Sequence, residues 1–476
     1  MSYKDLRSWL AQVEEMGELR HVEGAHWDGE IGALCEVAHR LGPPGRKLAI
    51  LFDQIQGYPK GYRVLTGLFN SLNRLALTVG LPQGLSRLEL VQAWRQRLKS
   101  LTPIRPMVVK DGPVMARVRT GSDINLWEFP TPKWHQLDGG RYIGTADLFI
   151  TRDPEEGWVN LGVYRVMIQD ENTLGFFIGR GQHGKMHVEK YLSQGKPCPV
   201  LLSCGHDPLL YWAASVEVPY GLSEYDYAGG LRGEPMEVIM SDITGLPIPA
   251  HSELVIEGEV LPEELRPEGP FGEWTGYYAS SVRPEPVIRV KRIMHREDPI
   301  ITGASPSKPP SEGGLQRSIV RYAMLLEELE KAGVPDVRGV WFHEPGGNRL
   351  LCVVAIKQRY PGHAKQAGLI ASQCRVNIYM GRYVIVVDDD IDPSDLNDVL
   401  WAMCTRSDPQ RSIEIITRSL GGELDPALPP GQKLFNSRAI IDACKPYEWI
   451  NEFPPVIQIS HDLRQQVLEK FGGIFQ

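Results

Sequence analysis

The sequence lacks the features of membrane, secreted and nucleic-acid-binding proteins. No apolar run approaches the roughly 20 residues that a transmembrane helix needs, and residues 1–19 carry charges throughout instead of the apolar core of a signal peptide. The 51 lysines and arginines stand against 59 aspartates and glutamates, a net charge of -8, whereas a general nucleic-acid binder is usually basic. We therefore expect a cytoplasmic protein that binds neither membranes nor nucleic acid.

Cysteine is scarce and shows no functional spacing. The seven cysteines are an odd number, are scattered along the chain and include no Cys-x-x-Cys pair. Neither a disulfide framework nor a thiolate zinc site is therefore indicated. We interpret the following cysteines as mostly core residues without a catalytic role: Cys35, Cys198, Cys204, Cys352, Cys374, Cys404 and Cys444.

At 476 residues the chain is too long for one ordinary core, and it has no internal repeat and no low-complexity tract. Its length predicts about three domains. Mixed helix and strand patterns predict an N-terminal α/β domain over residues 1–105, and β-rich runs predict a central domain over 106–312. A strongly periodic helix connects at 313–333, and alternating strands and helices predict a C-terminal α/β domain over 334–476.

Hydrophobic spacing places the main elements. Helices are predicted near residues 6–16, 31–41, 87–101, 189–194, 208–214, 315–332, 363–372 and 393–404. Strands are predicted at 48–53 and in the central runs PVMARV, TADLFITR, VNLGVYRVMIQ, PVLLSC, MEVIMSDI, SELVIEGEV and PVIRVKRIMH. Because each central run is bounded by Gly, Pro, Asp or Asn, the central region is predicted to be a barrel or sandwich.

The segment PEGPFGE sets two carboxylates, Glu268 and Glu273, five residues apart in a Gly/Pro loop, downstream of a lone arginine in NLGVYR, Arg165. A loop this rich in glycine and proline cannot form a helix or a central strand. Its two carboxylates are therefore held in place by the backbone geometry of the loop, and they are not part of the solvent-exposed face of a regular element. If one carboxylate pairs with a buried arginine while the other lies in an apolar cleft, their pKa values separate and one becomes a proton donor near neutral pH.

Three further polar residues lie in the segments NLGVYR, GRGQHG and SEYDYAG. Asn160, His183 and Glu224 offer an amide oxygen, an imidazole and a carboxylate, a mixed set that suits Mn²⁺ or Mg²⁺ sharing a phosphate. Spacing alone does not establish such a site.

In order and internal spacing, these four segments resemble the UbiD family of reversible (de)carboxylases, which use prenylated FMN. The resemblance covers essentially the whole chain and includes SELVIEGEV, RYPGHAK and VVDDDID. It implies an α+β fold of three domains, with a central split β-barrel similar to flavin reductases between an N-terminal α/β domain and a C-terminal α/β domain for oligomerisation. It also implies a homodimer or hexamer and a separate flavin prenyltransferase that supplies the cofactor.

The resemblance also implies the site residues. The metal ligands fall on Asn160, His183 and Glu224, and the family's Glu-Arg-Glu set falls on Glu268, Arg165 and Glu273. A potassium ion would lie near Trp158 and the backbone oxygens of residues 214–217, with Glu224 shared. The cofactor contacts fall on Val163, Tyr164, Arg165, Gln182, His183 and Ser215, with Lys365 as a phosphate contact.

The implied reaction is the non-oxidative decarboxylation of an aromatic or α,β-unsaturated carboxylic acid, with release of CO₂. Prenylated FMN would act as the electron sink, and Glu273 would donate the proton. Arg165 would hold the substrate carboxylate or Glu268. Gly179 would leave room for a larger aromatic substrate, and segments such as FNSR at residues 435–438 would form the other wall. The acid itself and the preferred direction stay open.

Asn160 and Arg165 are an odd number of positions apart, that is, they have opposite parity along a strand. On one regular strand their side chains would therefore point to opposite faces. A bulge or strand end near Gly162 would let Asn160 reach the phosphate side of a cofactor while Arg165 faces its ring.

Two other functions stay open: a flavin oxidoreductase that uses ordinary FMN on a similar barrel, and a non-catalytic subunit for cofactor binding or assembly. Hydride transfer does not require two carboxylates around an arginine, which disfavours the oxidoreductase. Three motifs receive structural interpretations: VVDDDID as a strand end and helix cap, CGHDP as a strand-end turn, and GRGQHG as a glycine loop without P-loop spacing.

Overall fold

The computed structural model describes residues 1–41, 47–216 and 218–475. Its first region contains α1 (Leu6–Glu15), β1 (Leu19–Glu23), α2 (Glu30–Leu41), β2 (Ala49–Asp53), β3 (Arg63–Thr66), α3 (Leu72–Val79) and α4 (Arg87–Lys99). Side chains at the N-cap positions fix where two of these helices begin. The Asp5 carboxylate accepts from the backbone N–H of Ser8 before α1, and Ser86 and Glu89 form a capping box at α4.

The central region contains β4 (Met107–Val108), β5 (Arg117–Thr120), β6 (Tyr142–Gly144), β7 (Leu148–Arg152), β8 (Val159–Gly162), β9 (Arg165–Asp170), β10 (Thr173–Phe177), α5 (His183–Ser193), β11 (Cys198–Cys204), α6 (Pro208–Ser215), α7 (Glu224–Arg232), β12 (Glu237–Met240), β13 (Pro247–Pro249), β14 (Leu254–Glu268), β15 (Arg283–His295) and β16 (Ile300–Thr302). Most of its elements are short strands, as the alternating apolar runs predict.

The last region contains α8 (Gly314–Lys331), β17 (Val337–Phe342), β18 (Leu351–Ile356), α9 (His363–Gln373), β19 (Tyr383–Asp388), α10 (Leu396–Arg406), α11 (Pro409–Ser412), β20 (Ile413–Leu420), β21 (Phe435–Ala443) and α12 (His461–Phe471). Helix α8 buries Ile319, Tyr322, Ala323 and Leu326, a helical stripe that packs against β17. The sheet of this last region has the order β17-β18-β19-β21-β20, with a parallel centre and antiparallel edges.

The central sheet has the order β6-β9-β10-β15-β14-β11-β7-β8, and β5 pairs with β15. Strands β8 and β9 lie towards opposite edges of this sheet, yet only Val163 and Tyr164 separate them in sequence. Neighbouring strands are about 4.8 Å apart, so two residues cannot cross a flat sheet of this width. The sheet must therefore curl until its edges meet, and this half-barrel confirms the predicted split-barrel fold.

Strand β16, at the end of the central region, pairs in parallel with β3 and completes a first sheet of order β1-β2-β3-β16. A small three-stranded sheet of order β13-β12-β4 lies beside the barrel. One hydrophobic cluster includes Leu68 from the first region, Trp212 from the second and Leu325 from the last, so the three regions share a core. The domain limits at residues 105, 312 and 333 stay a proposal.

Several local predictions are corrected. PVMARV is a 3₁₀ helix at Pro113–Ala116 followed by β5, because the proline at its first position starts a helical turn. The helix expected at 189–194 begins earlier, at His183, and SEYDYAG contains the start of α7, which Ser223 caps. Glu268 is the last residue of β14 and not a loop residue. Within the described ranges, no helix is long and apolar enough to cross a membrane.

The predicted break near Gly162 is confirmed. Strand β8 ends at Gly162 and β9 begins at Arg165, so Asn160 and Arg165 belong to different strands and the parity of a single strand does not apply to them.

Candidate active site

Arg165 and two glutamates form a buried ion-pair group. Arg165 donates from Nε and Nη2 to the two carboxylate oxygens of Glu268, at 2.8 and 2.6 Å, and from Nη1 to Oε1 of Glu273 at 2.6 Å. Ser280 Oγ accepts another bond from Nη2 at 3.2 Å, and the Tyr142 hydroxyl donates to Glu268 at 3.1 Å. The structure therefore brings together the three residues that the resemblance implied as catalytic.

Adjacent strand ends position this group. Arg165 is the first residue of β9 and lies opposite Phe177, the last residue of β10. Glu268 ends β14 opposite Arg283, which begins β15. The Phe177 ring lies between two guanidinium groups, 4.7 Å from that of Arg165 and 3.8 Å from that of Arg283. Glu273 comes from the loop between β14 and β15, where its N–H donates to Tyr277 O at 3.1 Å.

The two glutamates have different electrostatic surroundings. Burial raises the pKa of Glu273, Arg165 opposes this shift, and the charge of Glu268 adds to it. Burial alone would lower the pKa of Arg165, but the carboxylates of Glu273 and Glu268 outweigh it and raise that pKa. Arg165 is therefore a fixed cation that holds Glu268 through two bonds, and Glu273 is the carboxyl whose protonated form the site favours.

Asn160, His183 and Glu224 gather around strand β8. Asn160 lies on β8 itself, while His183 and Glu224 are the first residues of α5 and α7, and both helices pack against β8. Glu224 accepts a 2.7 Å hydrogen bond from the N–H of Leu161, the neighbour of Asn160. The Tyr164 hydroxyl accepts from Gly184 N at 3.3 Å, which ties α5 to the connection after β8.

The donor atoms of this cluster fit a divalent cation. Asn160 Nδ2 is buried and has no hydrogen-bond partner in the described parts of the chain, and burial raises the pKa of Glu224 to about 8. A cation would bind the amide oxygen of Asn160 and compensate the buried carboxylate of Glu224, while the unpaired Nδ2 would be left to donate to an acceptor such as a phosphate oxygen. Because one of the three residues is an asparagine, the group is not a cluster of three His, Cys, Asp or Glu, and none of that kind occurs among the described residues.

Aromatic rings enclose this cluster. The Trp158 ring lies 5.2 Å from that of His183 and 5.3 Å from that of Tyr220, and Tyr220 lies 5.6 Å from His183. Burial lowers the pKa of His183, and the charge of Arg375 adds to this shift. The imidazole is thus held neutral, as a metal ligand must be.

A cavity of about 990 Å³ lies between the barrel and the C-terminal region. Its lining includes six of the residues implied as catalytic or cofactor-binding: Val163, Tyr164, Arg165, Gln182, Ser215 and Glu273. Gly179 also lines it and has no atom within 4 Å of the place where a Cβ would stand, so the cavity is open there.

Lys365 is not brought to this cavity. It lies on α9, is 56% exposed in its side chain, and pairs with Glu414 on the surface. A cation that lowers the pKa of His183 is Arg375, an exposed residue that motif comparison missed because it lies in an irregular segment after α9. Glu217, the last residue of the stretch expected near potassium, lies outside the described residues.

The far wall of the cavity also differs from expectation. FNSR does not line it, since its Arg438 is buried and donates to the carbonyl oxygen of Asn377. The wall instead contains residues from α8, the Tyr379 segment, and the 420–424 and 430–434 segments. The sequence did not predict these residues, because the wall is formed by segments that are far apart in the chain and carry no shared local motif.

The structural interpretation of CGHDP is confirmed, and that of VVDDDID is confirmed in part: Asp388 ends β19, but it is buried and not solvated, and the helix cap lies beyond the motif. In VVDDDID, Asp388 and Asp390 pair with Arg406, and the nearby Asp395 caps α10. In CGHDP, His206 donates from Nδ1 to Ser203 O at 3.1 Å, and Asp207 caps α6.

Comparison with known families decides the identity of the fold. Three models described for 3-octaprenyl-4-hydroxybenzoate carboxy-lyase match the chain: the UbiD N-terminal domain at residues 10–94, the Rift-related UbiD domain at 107–309, and the UbiD C-terminal domain at 316–443. The chain belongs to the UbiD family. This UbiD-family protein is accordingly a carboxy-lyase, that is, a decarboxylase.

Relatives named as phenolic acid decarboxylases match this UbiD protein over more than nine-tenths of its length. It is 32% identical over 458 residues to a phenolic acid decarboxylase of Sedimentibacter hydroxybenzoicus, covering 93% of this chain and 92% of the other. It is 31% identical over 452 residues to a phenolic acid decarboxylase of Streptomyces sp. (strain D7), covering 94% and 93%.

Solved structures agree in fold. The closed form of the Sedimentibacter hydroxybenzoicus vanillic acid decarboxylase matches with a TM-score of 0.84 at 30% identity, over 100% of both chains. The UbiD-class enzyme HmfF of Pelotomaculum thermopropionicum, solved in complex with FMN, matches with a TM-score of 0.85 at 28% identity, over 98% of this chain and 100% of that one.

Proposed function

We propose that this UbiD-family decarboxylase acts reversibly and non-oxidatively on an aromatic or α,β-unsaturated carboxylic acid, with prenylated FMN as cofactor. The observation that carries the proposal is the Glu268–Arg165–Glu273 group on the wall of the cavity, which pairs a fixed cation with a carboxyl of raised pKa. The phenolic acid decarboxylases among its relatives support the aromatic class.

The cofactor proposal rests on both ends of the site. Asn160, His183 and Glu224 would hold Mn²⁺ or Mg²⁺ against a cofactor phosphate, and the N-terminus of α5 adds its backbone N–H groups, since the Gln182 side chain does not cap it. Arg375, rather than Lys365, is the cation that we propose for the phosphate side. Potassium would lie near Trp158 and Ser215. The neighbour HmfF was solved with FMN and, in an evolved dimeric form, with prenylated FMN.

The residues of this chain would act in a defined order. Prenylated FMN, when bound, supplies an electron sink for the carbon that loses CO₂. Arg165 keeps Glu268 and Glu273 at fixed positions, so that the acid is positioned before the reaction begins. Glu273 holds a proton on its carboxyl and delivers it to that carbon after CO₂ has left. In the carboxylation direction, the same carboxylate would take the proton from the substrate carbon.

The hydrogen bonds of Arg165 to protein groups leave its guanidinium little capacity to bind the substrate carboxylate. Its Nε, Nη1 and Nη2 all donate to the two glutamates, and Ser280 takes a further bond. We therefore assign Arg165 to Glu268 and Glu273, and not to the substrate carboxylate.

We also propose that the chain forms a homodimer or hexamer through its C-terminal region. Helix α12 has no buried residue in the single chain, and Leu463, Val467 and Phe471 are each more than two-fifths exposed. A helix with so much exposed apolar surface is expected to be covered by a partner. The flavin prenyltransferase would be a separate supplier of the cofactor.

The experiment that tests this function is co-expression with a flavin prenyltransferase, mass spectrometry of the bound cofactor, and an anaerobic assay of CO₂ release from a panel of aromatic and α,β-unsaturated acids. We expect the prenylated flavin and CO₂ release with at least one acid. Unmodified FMN with flavin reduction and no CO₂ would favour the oxidoreductase, and no turnover of any kind would favour a non-catalytic subunit.

A further inference from the structure

A half-buried cation on the cavity wall, Arg317, has no partner among the residues that the structure describes. Arg317 lies in the first turns of α8, is half-buried, and lines the cavity together with Glu273. Its backbone N–H donates to Gly313 O, but its guanidinium makes no hydrogen bond or ion pair with any residue in the described ranges.

Several other cations of the wall have protein partners. Arg165 is held by Glu268 and Glu273. Arg283 pairs with Glu285 at 2.7 Å. Lys433 donates to the carbonyl oxygens of Ala279, Glu423 and Asp425 at 3.2, 3.0 and 3.0 Å. Arg180 also lines the cavity without a partner in the described ranges, but it is exposed to solvent. Arg317 differs because it is half-buried and directs its charge to the cavity with no protein group to receive it.

An uncompensated cation in this position is unfavourable in the empty protein. Burial lowers the pKa of Arg317, and the more distant charges of Tyr211 and Glu273 oppose the shift without forming an ion pair. A bound anion would remove this cost, because a guanidinium presents paired N–H groups that match a carboxylate.

The reacting carboxylate is a poor candidate for that anion. It loses its charge on leaving as CO₂, so a strong ion pair to it would stabilise the substrate more than the transition state. A group that keeps its charge throughout the reaction can be held by Arg317 without this penalty. The open space at Gly179 and the cavity volume of about 990 Å³ leave room for such a group.

We propose that Arg317 binds a second carboxylate of the substrate, so that the preferred substrates of this site are aromatic dicarboxylic acids. The inference rests on the proposed decarboxylase function of the same cavity, and it makes Arg317 a specificity-determining residue.

The test compares two acids with the same ring, terephthalate and 4-hydroxybenzoate, which differ only in the group opposite the reacting carboxylate. Binding is measured calorimetrically with full-length protein loaded with unmodified FMN, for wild type, Arg317→Met and the surface control Arg338→Met. CO₂ release is then measured with the prenylated cofactor. Flavin content is determined for every variant.

We expect wild type to bind terephthalate more tightly than 4-hydroxybenzoate. Arg317→Met should weaken terephthalate binding on the order of 10- to 100-fold, the effect of losing a charged hydrogen-bonded pair, and change 4-hydroxybenzoate binding by less than about threefold. Arg338→Met should behave as wild type, and Arg317→Lys should recover part of the preference.

Equal losses for both acids, no loss for either, or loss of flavin from Arg317→Met would each overturn the proposal. The proposed function has a separate criterion. If wild type releases CO₂ from monocarboxylic acids and Arg317→Met shows no selective effect, the function stands and the inference fails. If no acid is decarboxylated, the function fails, while the binding comparison still decides the role of Arg317.

Discussion

Arg165 donates two hydrogen bonds to Glu268 and one to Glu273, so the two carboxylates that surround it are not equivalent. Glu268 ends a strand, is fully buried and receives a further bond from Tyr142, whereas Glu273 stands in a loop on the cavity wall. From this asymmetry we propose that Glu268 holds the arginine and that Glu273 exchanges a proton with the substrate.

Replacing the donor should stop proton transfer without emptying the site. We expect Glu273→Gln to lower kcat by about 10² to 10⁴, because an amide cannot deliver a carboxylic proton. Flavin content, measured by absorbance after denaturation, should stay at the wild-type level. The control Glu264→Gln changes a carboxylate that pairs with Arg289 outside the cavity, and it should retain wild-type turnover. Full turnover in Glu273→Gln would remove this residue from the mechanism.

Replacing the holding carboxylate should move the pH profile. The charge of Glu268 raises the pKa of Glu273, so in Glu268→Gln that pKa should fall, with Arg165 left to Glu273 alone. The donor must be protonated, so the decline of kcat on the alkaline side should begin at a lower pH than in wild type. The measurement is kcat against pH at saturating substrate. An unchanged profile would contradict this coupling.

The metal cluster makes a separate prediction. Asn160→Ala and Glu224→Gln should each lower the Mn²⁺ content of purified protein by at least about tenfold and weaken flavin binding, because each removes one ligand. Elemental analysis and flavin titration provide the measurements. Glu189→Gln, an exposed change on the same α5 helix, is the control. Normal Mn²⁺ content in both ligand variants would show that the ion, if present, is held elsewhere.

Glu312 should make stability depend on pH. Its carboxylate accepts the N–H groups of Gly67 and Leu68, at 2.6 and 2.9 Å, and burial raises its pKa to about 7 from an ordinary 4.5. The folded state therefore binds more protons than the unfolded state between these values, and stability falls as the pH rises from about 4.5 to about 7. The contribution is up to about 3 kcal/mol.

In Glu312→Gln this dependence should be absent. The Tm of wild type should decrease between pH 5 and pH 8 by more than that of the variant, as followed by circular dichroism. Parallel changes in the two proteins would show that Glu312 does not titrate in this range.

The exposed helix α12 predicts an effect on assembly. Leu463→Glu combined with Val467→Glu places charges on its apolar surface and should shift the protein to a smaller species in light scattering after gel filtration. A double change of the exposed Arg464 and Glu469 to Ala is a matched control on the same helix. An unchanged mass in the glutamate variant would exclude α12 from the interface.

The sequence was most informative where chemistry and local pattern coincide. Short apolar runs between turn residues predict a barrel or sandwich, and the family resemblance implies the split barrel. The opposite parity of Asn160 and Arg165 predicts the break at Gly162. Arg165, Glu268 and Glu273 could be grouped because their motifs resemble those of a known family, although 103 residues separate Arg165 from Glu268.

Other features depend on contacts that no local pattern encodes. Glu268 was assigned to a loop because proline and glycine follow it, whereas pairing with β15 extends β14 to that residue. Arg317 lies on a helix whose periodicity indicates only packing, and its role follows from the cavity that it faces. Lys365 stands in the RYPGHAK segment that resembles the family, yet α9 directs it to the surface, where it meets Glu414.

The central claim is that this site removes CO₂ without net oxidation, and its most direct test is the anaerobic stoichiometry of the reaction. Holoenzyme carrying the prenylated flavin is incubated with an aromatic acid in the absence of any electron acceptor, and acid consumed, CO₂ formed and flavin redox state are measured together. We expect equal amounts of acid consumed and CO₂ formed, with the flavin spectrum unchanged after turnover. Acid consumption that is matched by flavin reduction and yields no CO₂ would contradict this claim.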